Sequence, residues 1–248
     1  MNEIDEIIGE ADDALLIKRV VDSFRRTMVH YGQWFAQVEH QLGMEKAMEV
    51  EADVWGASFQ NQLKRLSKIF GFEIKDGVPA HLHTLSREEL IDLLKNLGIN
   101  WLANDGIWFQ AVEKKYGMND AKRCNDSCWT RYSPFEAERI KQLLELPEQG
   151  GIPALKKALA FRMYALINKQ SIEDVSENCI IFRMNECRVQ VARKRKGLAD
   201  YPCKSVGLVE YPYFASTIDS RIVTECVGCP PDEHPEEWFC AWKFTLVE

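Results

Sequence analysis

One stretch of this chain occurs twice. Residues 32–55 recur without a gap at 106–129, a spacing of 74. Gly32, Trp34, Phe35, Val38, Glu39, Gly43, Met44, Ala47 and Trp55 are identical to Gly106, Trp108, Phe109, Val112, Glu113, Gly117, Met118, Ala121 and Trp129. Nine identities in 24 positions, with Leu16, Ile17, Val20 and Met28 facing Leu90, Ile91, Leu94 and Leu102 upstream, mark an internal duplication. Each copy therefore has to fold the same way. Leu16, Val20, Phe24, Met28, Phe35, Val38 and Leu42 recur at helical spacing until Gly43, a residue that ends helices by taking a positive φ. A return helix follows, with Ala47, Val54, Leu63, Leu66 and Ile69 as its stripe up to Gly71. The repeat units span about 14–71 and 86–146, joined by a linker over 76–84. Two such hairpins predict a four-helix bundle with a pseudo-twofold axis.

The second copy opens with Ser86-Arg87-Glu88-Glu89, a capping box in which hydroxyl and carboxylate satisfy the free amides of a helix start. Pro134 predicts a bend or break in its return helix. Trp34, Trp55, Trp108 and Trp129 are expected in the core, as are Cys124 and Cys128, which stand without further ligands at metal-site spacing. Glu39 and Glu113 fall on or beside the apolar stripe, inside the phrase Trp-Phe-x-x-Val-Glu. Brought together in a bundle core they would bind a metal or share a proton. No Glu-x-x-His accompanies them, which favours carboxylates that merely accept bonds from an indole or an arginine.

After a helix over about 154–167 the apolar period falls from 3.6 to 2, and a second domain (171–248) is expected to follow a helical one (1–170). Its predicted order is β-α-α-β-β, so the chain as a whole is expected to be α+β: duplicated helical hairpins, then a small cysteine-rich domain. Five of the eight cysteines, Cys187, Cys203, Cys226, Cys229 and Cys240, fall within the last 62 residues, at the ends of those elements. Thiols at element ends can converge, and the Cys226-Val227-Gly228-Cys229 knuckle lets two approach a cation from one turn. The expectation is a thiolate site for zinc or, second, an iron–sulfur cluster, with buried or redox-active thiols as the alternative. His234 is a reserve ligand or a surface residue.

Composition limits the setting. No apolar run approaches the roughly 18 residues that span a bilayer, and the acidic start is unlike a signal peptide, so a cytoplasmic protein with reduced thiols is expected. A net charge of −7 offers nothing to a phosphate backbone or an anionic lipid surface, which argues against nucleic-acid and membrane partners. The motifs of nucleotide hydrolysis, dinucleotide redox, serine esterase and zincin chemistry are all missing from the sequence.

Cys187 after a strand, Pro202-Cys203, Glu225-Cys226-Val227-Gly228-Cys229-Pro230 and the ending Cys240-Ala241-Trp242-Lys243-Phe244 give residues 177–248 a likeness to a known group. The region resembles the L-2-amino-thiazoline-4-carboxylic acid hydrolase family and, more distantly, the small-molecule-binding 4-vinyl reductase domain. The helical repeat resembles uncharacterised bacterial proteins with such a tail. The first resemblance implies hydrolysis of a carbon–nitrogen bond by attack of water on a small amino-acid-like substrate. The second implies a metal held by Cys203, Cys226 or Cys229, and Cys240, with Cys187 or Glu210 as fourth ligand, beside a small-molecule pocket. Arg188, Arg193 and Arg221 are candidates to grip a substrate carboxylate. The competing expectation is a non-enzymatic ligand-binding or adaptor protein whose metal is purely structural.

Overall fold

A computed structural model describes residues 3–197 and 200–248. A short helix α1 (Glu3–Gly9) precedes α2 (Asp13–Leu42) and α3 (Met44–Phe70). A two-stranded hairpin, β1 (Ile74–Lys75) and β2 (Val78–Pro79), and a 3-10 turn over Ala80–Thr84 lead to α4 (Arg87–Tyr116) and α5 (Met118–Leu143). Then come α6 (Gly151–Phe161), β3 (Lys169–Ser176), β4 (Cys179–Glu186), α7 (Arg188–Arg195), α8 (Lys204–Ile218), β5 (Ile222–Gly228) and β6 (Cys240–Leu246). The fold is α+β, as expected. No helix among the described residues is long and apolar enough to cross a membrane.

The duplication is visible in the backbone. Gly43 and Gly117 join their helix pairs with the same φ of 91° and with ψ of 163° and 170°, a conformation closed to most residues. Each glycine amide bonds back to the equivalent carbonyl, Glu39 in one copy and Glu113 in the other. The capping box forms as predicted, Glu89 N bonding to Ser86 Oγ at 3.2 Å and Ser86 N to the Glu89 carboxylate at 2.7 Å. Pro134 is buried within α5 and the helix runs on through it, so of the expected bend or break there is no break.

Two compact units divide the chain, 1–80 and 81–248, so the second hairpin belongs with the C-terminal elements. In the first unit, Gln60 Nε2 donates to the Gly77 carbonyl at 2.8 Å and ties the linker hairpin to α3. None of the described side chains of α2 is buried, and α3 buries only Ala47, Glu51 and Leu63. Of the four tryptophans expected in the core, Trp129 alone is there; Trp34, Trp55 and Trp108 are exposed. Cys124 and Cys128, also expected to be packed, are exposed.

In the second unit, four antiparallel strands lie in the order β3-β4-β6-β5. The expected β-α-α-β-β order lacks β3, an edge strand whose residues are mostly exposed and so show little apolar alternation. Phe182 pairs with Trp242 and Ile180 with Phe244, placing these large side chains on one face. That face packs on Leu155 and Leu159 of α6 and Phe214 and Ile218 of α8, and α5 lies along α8. The close approach of helix to sheet needs Gly207 in α8, where a Cβ would sit 2.4 Å from Cζ2 of Trp242.

Candidate ligand cavity

Within the second unit, α4, α5, the turn after α6, β4, α7, α8 and the ends of β5 and β6 line a half-open cavity of about 720 Å³. Its walls are mainly apolar and aromatic, with Leu102, Phe109, Trp129, Tyr164, Tyr201 and Tyr211 among them. Trp129 stacks on Tyr164 at 5.7 Å between centroids, and Phe109 meets the edge of Tyr201 at 5.0 Å. Tyr201 is further fixed by Gln190, which accepts from its amide at 2.8 Å and donates to its carbonyl at 2.9 Å. These groups hold one wall of the cavity in place.

Four of the five clustered thiols, Cys187, Cys203, Cys229 and Cys240, line this space; Cys226 does not. They come from four different places: the end of β4, the turn before α8, the end of β5 and the start of β6. Burial pushes the Cys187 thiol up to about 11, and burial with the nearby Cys187 and Cys240 raises Cys203 well above the usual thiol range. Cys229 is raised first by the neighbouring Cys240 thiol and then by burial. All three shifts favour the protonated thiol. Among the described residues no three His, Cys, Asp or Glu side chains are grouped so as to hold a metal ion. His234 is occupied with Asp200 and the Pro235 carbonyl, and no described histidine lines the cavity.

Behind the wall lies a buried charge network. Arg162 Nε donates to Glu136 Oε2 at 2.9 Å, and Glu136 Oε1 accepts from the Met163 amide at 3.0 Å. The same guanidinium faces Glu210 Oε1 at 2.8 Å, an ion pair not aligned as a hydrogen bond, and lies 4.6 Å from the Phe214 ring centroid. All three charged side chains are buried. One guanidinium thus serves two carboxylates, and burial raises the Glu210 carboxyl against the pull of Arg162.

The charged residues of the lining differ in exposure. Lys114, Arg188 and Lys196 are exposed, whereas Arg193, Asp105 and Glu113 are half-buried and Glu210 is buried. Of the arginines considered as carboxylate grips, Arg188 and Arg193 therefore border the cavity. Arg221 does not: its guanidinium is engaged with Asp219 through Nε at 3.0 Å and Nη2 at 2.8 Å. Glu113 reaches the cavity, while Glu39 lies in the first unit, on α2. Sequence reasoning missed Asp105, Tyr164, Tyr201 and the Arg162–Glu136 pair. Asp105 carries a signal in hindsight, because the duplication puts Tyr31 at its place in the first copy.

No curated protein and no solved structure shows significant similarity to the chain. A family model described as a family of unknown function (DUF6125) matches residues 10–86 and 83–246. The two stretches correspond closely to the two compact units, and together they take in most of the sequence. The chain belongs to that family.

Proposed function

We propose that this protein binds a small organic molecule in the cavity of its second unit. The observation that carries the reading is the cavity itself: about 720 Å³, largely apolar, with a few charged groups in its lining. Sites for small molecules usually run from about 300 to 1,000 Å³ and have this make-up. Binding is favoured over turnover because no described histidine lines the cavity to activate its thiols.

Gly106 offers a way to test this. It lies within α4, lines the cavity, and has nothing within 4 Å of where a Cβ would be. Gly106→Leu is therefore expected to fill the cavity without disturbing the helix. In a thermal-shift screen of a metabolite library, compounds that raise the midpoint of the natural protein should leave Gly106→Leu unmoved. A ligand present at 100 times its dissociation constant stabilises by about 2.7 kcal/mol, which is readily detected. A library that shifts neither protein, or both alike, would contradict the proposal.

A second reading keeps Cys187, Cys203, Cys229 and Cys240 as ligands of a zinc ion. It adds Arg188 or Arg193 as the grip on an amino-acid-like substrate whose C–N bond is hydrolysed. What favours it is the arrival of four soft donors on one cavity. Their present positions do not form a metal group, so binding would require them to converge and to release their protons. Metal and acid-labile sulfide measured on protein purified without chelator or oxygen decide the matter. About one zinc per chain without sulfide supports the second reading, and no metal removes it.

A further inference from the structure

The internal duplication supplies a comparison that the molecule makes with itself. In the first copy, Tyr31 donates its hydroxyl to Glu51 Oε1 at 2.9 Å across the hairpin. The equivalent positions in the second copy are Asp105 and Asn125, so the tyrosine has become a carboxylate and the carboxylate an amide. The exchange leaves the second copy's acid without the partner that the first copy provides. Asp105 makes no hydrogen bond and no ion pair among the described residues, and Asn125 Oδ1 instead accepts from Tyr201 at 3.3 Å. Both residues line the cavity.

A half-buried carboxylate with no counter-charge is costly unless something else supplies one. Burial alone raises the Asp105 carboxyl, with no cation opposing it. Glu210, at the buried end of the same lining, adds negative charge that Arg162 must divide with Glu136. The lining lysines and Arg188 are exposed, where water screens them, and the half-buried Arg193 lies by the Tyr201 ring, 5.9 Å from its centroid. Among the less exposed groups of the lining, the carboxylates Asp105, Glu113 and Glu210 thus outnumber the one cation, Arg193, and the rings of Phe109, Trp129 and Tyr164 line the cavity as well.

We infer that the occupant of the cavity carries a cationic nitrogen, an amine or quaternary ammonium on an apolar body, whose charge is met by Asp105 and by aromatic ring faces. This rests on the small-molecule reading above and adds the ligand's charge class. A metal ion fits the deficit less well, because the negative groups are spread along the wall and no three donors are grouped. An organic cation needs no such convergence, since a single carboxylate and ring faces suffice.

The test uses three molecules of one shape: 4-phenylbutylamine, 4-phenylbutanol and 4-phenylbutyrate, titrated calorimetrically into the full chain and into Asp105→Asn. The amine should bind at least tenfold more tightly than the alcohol, and the butyrate more weakly than both. Asp105→Asn should erase the amine's advantage while leaving the alcohol's affinity unchanged, a pattern that a merely structural Asp105 would not give. Equal binding of amine and alcohol would overturn the inference and leave the small-molecule reading standing. Preference for the butyrate would do the same and transfer recognition to Arg188 and Arg193. Binding of none of the three, together with an unresponsive thermal-shift screen, would overturn both.

Discussion

Asp219 shows how much a single side chain can be asked to hold. Its carboxylate accepts from the Arg221 guanidinium, the Arg221 amide and the Gly151 amide, so it joins the start of α6 to the turn before β5. Those donors, Arg221 first, draw its pKa from the ordinary 3.8 down to about 2. A depressed carboxyl stabilises the native state above its unfolded value, and that contribution is lost as the pH falls through the folded one. The window is therefore pH 4 down to 2. Urea unfolding of the natural protein should weaken more steeply across that window than that of Asp219→Asn, and parallel slopes would rule out this role. Arg162 stands in contrast: paired with two carboxylates in the interior, it relieves a desolvation cost more than it adds stability.

At the scale of elements, the contact between α8 and the sheet depends on the absence of one side chain. Gly207→Ala would press a methyl group into Trp242, which is fully buried and stacked on Tyr211 at 4.7 Å. Overpacking of this kind costs about 1–3 kcal/mol, so a lowered denaturation midpoint is expected, and an unchanged one would mean that helix and sheet can part. What could be read from sequence at this scale follows from burial. β4 and β6 were legible because Ile180, Phe182, Trp242 and Phe244 put an apolar face inside, whereas β3, exposed along most of its length, left no such trace. The hairpins were legible through their repeat, and their corners through Gly43 and Gly117. The tryptophans misled because an apolar stripe needs a partner as well as a period. Phe24, Met28 and Trp34 keep helical spacing in α2 and yet are exposed. The lining cysteines were found by their clustering at element ends. Asp105 was not found, since its exchange against Tyr31 in the repeat looks like any change at a solvated position until its neighbours are known.

For the molecule as a whole, the division after Ala80 makes the second unit the carrier of both core and cavity. The fragment 81–248, nearly coextensive with the second matched stretch, is expected to fold alone with a single cooperative melt. Circular dichroism and one thermal transition would show this, and a broad or absent transition would mean that the first hairpin is needed. The first hairpin, with three described residues of α3 buried and none of α2, buries little of its own surface.

The cavity draws its walls from both helices of the second hairpin and from the sheet-bearing elements, so an occupant touches parts of the chain distant in sequence. A molecule bound there as proposed would add the free energy of its binding to the stability of the folded state. Starved of that molecule, the protein would spend more time open and be cleared sooner by proteases. The quantity of protein in a cell would then rise and fall with the supply of its ligand, and turnover itself would report on a metabolite.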